Sequence, residues 1–216
     1  MSEQLLFPTM IVMIVSFFIC GVPFGFVVAR SRGLDVRRVG SGNIGATNVG
    51  RTLGKKAAGL TLLLDLGKGF VCTFAAPYIL SVLTGIEAGA LAPTQHHIAL
   101  TMVFLSCLLG HIFSPYLDFH GGKGISVGFG AALGLCWPIA LGLLAVFIIV
   151  VVPFRYVSLA SCTAALSMPV FAWFFGFDMR NVIVMTIASA LVIWAHRENI
   201  GKLIRGEEKR FSFGNA

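Results

Sequence analysis

Ile125-Ser126-Val127-Gly128-Phe129-Gly130-Ala131-Ala132-Leu133-Gly134-Leu135-Cys136-Trp137-Pro138-Ile139-Ala140, continuing without a charge to Val152, is the stretch on which the fold turns. Read as one helix it crosses a bilayer once. Read as two helices meeting at Trp137-Pro138 it crosses, or partly crosses, twice. Proline has no N–H and its ring collides with the preceding turn, so a break there is physically reasonable. Each half would be shorter than the roughly 20 residues of a usual span, which surrounding helices can tolerate.

The charges on either side decide between the two readings. Apolar runs cover about Leu5 to Ala29, Ala58 to Leu83, Ile98 to Phe113, Val157 to Phe175 and Asn181 to Ala195. The block from Arg30 to Lys56 is rich in arginine and lysine, whereas Thr84 to His97 contains neither. Lys and Arg favour the cytoplasmic side, so the first block is expected inside and the second loop outside. The loop with Lys123 is then inside again. A single span over 125–152 would leave the tail outside with Arg197, Lys202, Arg205, Lys209 and Arg210, against that tendency. Two helices return the tail to the inside. The expected architecture is an all-α polytopic membrane protein of about seven transmembrane or partly spanning helices around a cytoplasm-facing polar cleft, N-terminus outside and C-terminus inside.

Composition agrees with a lipid environment. Of 216 residues 57% are hydrophobic and 12% charged, and the mean hydropathy is +0.90. Soluble domains carry roughly 25% charged residues, so this chain cannot cover a water-facing surface. Several spans use nearly all of it, and residues 1–216 are read as a single domain. The first apolar run lacks a basic leader and is too long for a signal peptide, which makes it a retained helix. The formal charge of +7 sits in short blocks between apolar runs and implies no nucleic acid. It fits topology and a basic pocket for anions together. Cys20, Cys72, Cys107, Cys136 and Cys162 all lie in apolar runs without a CxxC pair, and read as small buried thiols rather than metal ligands or a disulfide framework. Asp65 and Lys68 stand three apart in an apolar helix, where pairing with each other offsets the cost of charge in the membrane.

This topology gathers three glycine- and charge-rich segments on one face. Ser41-Gly42-Asn43-Ile44-Gly45-Ala46-Thr47-Asn48-Val49-Gly50-Arg51 offers backbone N–H groups, hydroxyls and a guanidinium that suit phosphate, although it is neither a Walker loop nor G-x-G-x-x-G. An ordinary juxtamembrane loop is the competing account. Gly121-Gly122-Lys123-Gly124 places a cation at the start of a helix, where anions are favoured; a topogenic lysine beside a turn is the plainer account. His111, at a helix end, reads as structural. His196 and Asn199 share a helix face at i,i+3, and Glu207 follows. An amphipathic surface tail would explain the basic residues there but neither Asn199 nor Glu207.

Taken in order, these motifs resemble those of the bacterial acyl-phosphate:glycerol-3-phosphate acyltransferase family. Ser41 to Arg51 is similar to its first pattern without a break, and Leu64-Asp65-Leu66-Gly67-Lys68-Gly69 also fits. Gly110-His111 with Gly121 to Gly124 resembles the second. His196-Arg197-Glu198-Asn199-Ile200 through Gly206-Glu207-Glu208 resembles the third. His120 stands where a Lys or Arg is common, Ile125-Ser126 replaces the frequent Val-Ala, and the loop with His96 and His97 is long. The resemblance covers nearly the whole chain. It implies acyl transfer from acyl phosphate to sn-glycerol 3-phosphate, giving 1-acylglycerol 3-phosphate and phosphate, in phospholipid biosynthesis at a bacterial inner membrane, with a cytoplasmic active site.

On that expectation Ser41, Arg51 and Lys123 hold the glycerol 3-phosphate. Gly45, Thr47, Asn48, Gly121, Gly122 and Glu207 help to bind substrate, and His196 and Asn199, with Ser41, take catalytic roles. The partners are the two phosphate substrates and membrane lipids. No cofactor or metal is demanded. No Ser-His-Asp or Cys-His signature predicts an acyl-enzyme, and five residues after His111 stands Tyr116 rather than the Asp of another acyltransferase class. A small organophosphate transporter is the alternative; clustering of the motifs on one face and the lack of an internal repeat weigh against it.

Overall fold

A computed structural model describes residues 3–87 and 93–211, the side chains of 93–97 excepted. His96 and His97 therefore lie outside the described side chains. Among the described residues every regular element is helical, and the chain divides into two compact units, Met1–Cys136 and Trp137–Ala216. Among the described residues five helical stretches are long and apolar enough to cross a membrane, or up to six if one bent pair, Met179–Ala195 with Arg197–Ile204, is a single span. The short apolar helix Ile125–Leu135 stands outside that count.

The first unit begins with α1 (Glu3–Gly21) and α2 (Phe24–Arg30). The expected first span persists as one apolar stretch, Glu3–Arg30, with its helix interrupted at Val22-Pro23. Proline disfavours the helical conformation of the residue before it, a signal present in the sequence and passed over. A single 3-10 turn at Val36–Arg38 leads to α3 (Ala46–Leu53) and then α4 (Lys55–Thr84). Gly54, at φ 85°, joins α3 to α4 in a backbone region that L side chains rarely adopt. The helix α5 (Pro93–Ile112) starts five residues before the expected Ile98, with Pro93 at a first helical position where no N–H is required. α6 (Ile125–Leu135) completes the unit.

The predicted break in the 125–152 stretch is present, one residue earlier than expected. Cys136 is extended, at φ −160° and ψ 95°, and α7 (Trp137–Phe154) begins directly after it. Pro138 consequently occupies the first turn of α7, where its missing N–H costs nothing. At 1.5 Å per residue α6 is only about 16 Å long and α7 about 27 Å. The first is too short to cross the hydrocarbon alone.

That short helix is held by backbone proximity. A Cβ on Gly69 of α4 would strike the Val127 carbonyl oxygen, one on Gly130 of α6 the Leu66 carbonyl, and one on Gly134 the Thr73 hydroxyl. Small residues let helix backbones approach where lipid gives no hydrophobic drive to associate. The approach lets Thr73 Oγ1 donate to the Ala131 carbonyl at 2.9 Å across the two helices. α1 and α5 meet in the same manner: Gly110 lies against the Phe17 carbonyl, Ser106 Oγ donates to Met13 O at 2.6 Å, and Ser114 Oγ donates to Gly21 O at 2.7 Å.

In the second unit α7 packs on α8 (Val157–Phe174), and α8 on α9 (Met179–Ala195). Asp178 caps α9, its Oδ1 accepting from the Asn181 N–H at 3.0 Å and from Asn181 Nδ2 at 2.7 Å. Its carboxyl lies below the ordinary range despite some desolvation, because the Asn181 and Arg180 donors and the Arg180 charge favour the anion. α10 (Arg197–Ile204) follows His196 and contacts both α8 and α9.

The glycine seam yields a paired prediction. Gly130→Val, meeting backbone, should destabilise the protein by about 1–3 kcal/mol or more. Gly67→Ala on the same α4, where an added Cβ meets nothing within 4 Å, should be neutral or stabilising by up to about 1 kcal/mol. Thermal unfolding in detergent compares the two; equal behaviour would remove the backbone-contact account.

Candidate functional site

The Ser41–Arg51 segment is built around one buried amide. Asn48 is 2% exposed. Its Nδ2 donates to the carbonyls of Asn43 at 2.8 Å and of Val36 and Val39 at 3.1 Å, and its Oδ1 accepts from the Ser41 N–H at 2.8 Å. A side chain thus satisfies loop groups that no helix or strand can reach. Gly40, at φ 65°, lies so close to Asn48 Oδ1 that a Cβ there would collide with it. Asn43 Oδ1 accepts from the Gly45 N–H at 2.7 Å, turning the chain into α3 with Gly45 as the residue before it. Asn48, expected among the substrate binders, therefore has its amide committed to the loop. Ser41, Thr47 and Arg51 are exposed. Thr47 and Arg51 are four apart on α3 and share a face. Arg51 forms no ion pair among the described residues.

The neighbouring Arg37 is occupied. Its guanidinium donates to both Asp35 oxygens, at 3.0 and 2.9 Å, and its backbone N–H donates to Oδ1 at 3.1 Å. These donors, the side-chain bonds foremost, hold the Asp35 carboxyl down to about 2. The contact is present above the ordinary carboxylate range and is lost only as the pH falls through about 2.

The second segment joins the first through a shared apolar core. Val28, Ala29, Val36, Ile44, Val49, Ala57 and Leu117 form one buried cluster, so the first loop shares its core with the Leu117 turn that leads into the second. Behind the second loop lies a buried charge centre. Lys68 Nζ stands 2.8 Å from Asp65 Oδ1, donates to Val22 O at 2.6 Å, and approaches His111 Nδ1 at 3.2 Å. Asp65, Lys68 and His111 are 2%, 6% and 4% exposed. An ammonium only donates, so His111 Nδ1 is the acceptor. Backbone bonds from Gly121 N–H to Ile112 O and from Gly122 N–H to His111 O, both 3.0 Å, lay the second loop on the end of α5. A Cβ on Gly122 would strike His111 Nε2. Gly124, at φ 83°, opens α6, and Lys123 before it is half-buried. Gly121 and Gly122 thus have a positional reason to be glycine, and His111 is structural as expected.

In the second unit His196 ends α9 at 3% exposure, with Nδ1 2.8 Å from the Val192 carbonyl. A carbonyl only accepts, so Nδ1 carries a proton. Asn199 Nδ2 donates to Glu208 Oε1 at 2.8 Å, and Ser158 Oγ of α8 donates to the same oxygen at 2.7 Å. Glu207, the carboxylate singled out in the sequence, instead pairs with Arg205 at 2.9 Å on the surface. Glu208 and Ser158 were passed over. No motif spacing links Ser158 to Glu208; the turn at Gly206, φ 72°, brings the chain back to α8.

The profile of the family described as glycerol-3-phosphate acyltransferase matches residues 10–206. A glycerol-3-phosphate acyltransferase from Dinoroseobacter shibae is 41% identical over 191 residues, 88% of this chain and 86% of that one. One from Aquifex aeolicus is 37% identical over 199 residues, covering 92% and 96%. The crystal structure of PlsY (YgiH), an integral membrane glycerol 3-phosphate acyltransferase in its glycerol 3-phosphate form, is similar at TM-score 0.82 with 35% identity, covering 94% of this chain and 96% of that one. Its lysophosphatidic acid form gives TM-score 0.80 at 34% identity.

Removing the buried amide tests the loop. Asn48→Ala strands the Ser41 N–H and the Val36 and Asn43 carbonyls, while Val39 keeps the Gly42 N–H, and should cost at least about 2 kcal/mol and open the Arg37 and Arg38 bonds to trypsin. Unchanged melting and unchanged cleavage would show that the loop does not depend on Asn48.

Proposed function

The chain belongs to the glycerol-3-phosphate acyltransferase family, and from that premise we propose that it transfers an acyl group from acyl phosphate to sn-glycerol 3-phosphate, releasing 1-acylglycerol 3-phosphate and inorganic phosphate. The observation that carries the reading is the core shared by the first glycine-rich loop and the Leu117 turn that leads into the second, with Ser41, Thr47 and Arg51 exposed on the one loop and Lys123 half-buried in the other. Treatment of residues 1–216 as one catalytic domain, of seven helices with the N-terminus outside, belongs to the same proposal. So does a cytoplasmic active site at a bacterial inner membrane.

The chemistry brings together two phosphate-bearing substrates that repel each other. Like unit charges 4 Å apart cost about 4 kcal/mol at an effective dielectric of 20, so cations and N–H donors must offset them. Arg51 suits one phosphate with its planar fork, Lys123 with a point charge. Ser41 and Thr47 add hydroxyl donors, and the Gly45, Gly121 and Gly122 backbone permits close approach. Asn48 serves by holding the loop. His196 and Asn199 serve the acyl-phosphate head. Glu208, through Asn199, is a positioning residue, and Glu207 is left with its surface partner Arg205.

The acceptor hydroxyl oxygen attacks the acyl carbonyl carbon. The tetrahedral intermediate then expels phosphate as the acyl C–O bond breaks. The hydroxyl proton leaves on the departing phosphate, whose oxygens are basic enough to take it, so no acyl-enzyme forms. Positioning and preorganised donors supply the acceleration. His196 is the alternative base for that proton. Family membership gives the organophosphate-transporter alternative no support.

The test offers labelled glycerol 3-phosphate to purified protein with palmitoyl phosphate and, separately, palmitoyl-CoA. Product is expected from the acyl phosphate alone. Arg51→Ala and Lys123→Ala should each raise the KM for glycerol 3-phosphate about tenfold or more, the loss of a charged hydrogen bond of about 1.5–3 kcal/mol. Product from palmitoyl-CoA at an equal rate would overturn the donor assignment, and an acylated Ser41 in a rapid quench would overturn the direct mechanism.

A further inference from the structure

Three of the five cysteines, far apart in sequence, converge. Cys20 on α1, Cys72 on α4 and Cys107 on α5 are 0%, 6% and 0% exposed. Their sulfur atoms all lie within 4.8 Å of one another, and Cys20 Sγ is 3.8 Å from Cys72 Sγ. All of them are free thiols. A single buried cysteine is an ordinary small apolar residue. Three sulfurs delivered to one point by three different helices are a donor set.

We propose that Cys20, Cys72 and Cys107 form a binding site for a thiophilic metal cation of the zinc, cadmium or copper(I) class. Metal–sulfur bonds of about 2.3 Å in a three-coordinate arrangement place the sulfurs about 4.0 Å apart, close to the separations here, so small side-chain rotations suffice. Oxygen-seeking ions such as magnesium or calcium find nothing in this set, whereas thiolate sulfur selects soft ions. Binding a divalent ion releases two thiol protons to solvent, which leaves the loaded site neutral; the third sulfur completes the coordination. The reading of these cysteines as inert thiols rested on the lack of a CxxC spacing. That test sees only ligands close in sequence, and this set is assembled by helix packing.

The location gives the site a consequence. Cys72 is one helical turn beyond Lys68 on α4, Cys107 is one turn before His111 on α5, and Cys20 lies two residues before Val22, whose carbonyl accepts from Lys68. The sulfur cluster therefore stacks on the charge centre in the same three-helix junction, and a bound ion ties α1, α4 and α5 together. This site stands independently of the acyl-transfer reading.

The experiment uses the full chain in detergent with Cys136→Ser and Cys162→Ala, leaving only the cluster. Cadmium is the probe, added once during solubilisation and once after purification, since buried thiols exchange slowly. One cadmium per chain after gel filtration, a sulfur-to-cadmium charge-transfer band in the ultraviolet and a raised melting temperature are expected. All three should disappear in Cys107→Ala made in that background, with Cys20→Ser as a second variant should the first not fold. No retained cadmium under either addition would overturn the site. So would equal retention by the variants, or an intact mass two hydrogens lighter, marking a disulfide in place of the ion.

Discussion

One ammonium group carries an unusual share of this fold. Lys68 sits in a membrane helix with one ion-pair partner, the Asp65 carboxylate on its own helix, and two acceptors, the Val22 carbonyl at the α1–α2 break and His111 at the end of α5. Breaking a buried pair by removing one partner leaves an uncompensated charge and costs about 3–5 kcal/mol. Each acceptor is also a structural joint. Where Pro23 interrupts the first span, the Val22 carbonyl accepts from the Phe24 N–H at 3.1 Å and from Lys68 at 2.6 Å, which ties α4 to the interruption. His111 in turn forms the wall against which Gly122 lies, so the charge centre settles where the Gly121–Gly124 loop runs and where Lys123 begins α6.

Around that centre the helices of the first unit approach through glycine. At Gly69, Gly110, Gly130 and Gly134 a side chain would meet the backbone of the neighbouring helix, and at Gly134 the Thr73 hydroxyl as well. Hydroxyl groups of Thr73, Ser106 and Ser114 then cross-link carbonyls at 2.6–2.9 Å. In lipid this is the available chemistry, since apolar burial does not distinguish a helix neighbour from an acyl chain. The short α6 depends on it most, being too short to gain a full span's contact with hydrocarbon.

The candidate site divides into residues that face outward and residues that hold them. Ser41, Thr47 and Arg51 are exposed, while Asn48, five residues from Asn43 and three from Arg51 in the same motif, is buried and fully engaged with the loop. Motif reading treats all of these alike because each is polar. Only burial and bonding separate a group that is offered to a ligand from one that shapes the loop. The same distinction splits Glu207 from Glu208, adjacent and chemically identical, one paired with Arg205 at the surface and the other joined to Asn199 and Ser158.

Composition and patterning alone determined that this is a helical membrane protein. Charge content of 12% and long apolar runs leave no other solvent for the chain. The break in the 125–152 stretch was legible too, because proline's lack of an N–H is a local property that acts wherever the residue stands. So were the Asp65–Lys68 pairing, set by helical periodicity, and the three motifs, set by residue type and spacing. The tertiary structure decided which distant groups meet: Cys20 with Cys72 and Cys107, Lys68 with Val22 and His111, Ser158 with Glu208. Those partners are 43 to 52 residues apart where the bonds are resolved. Periodicity assigns a face to a residue, but the identity of what lies against that face depends on helix packing, which is a property of the whole chain.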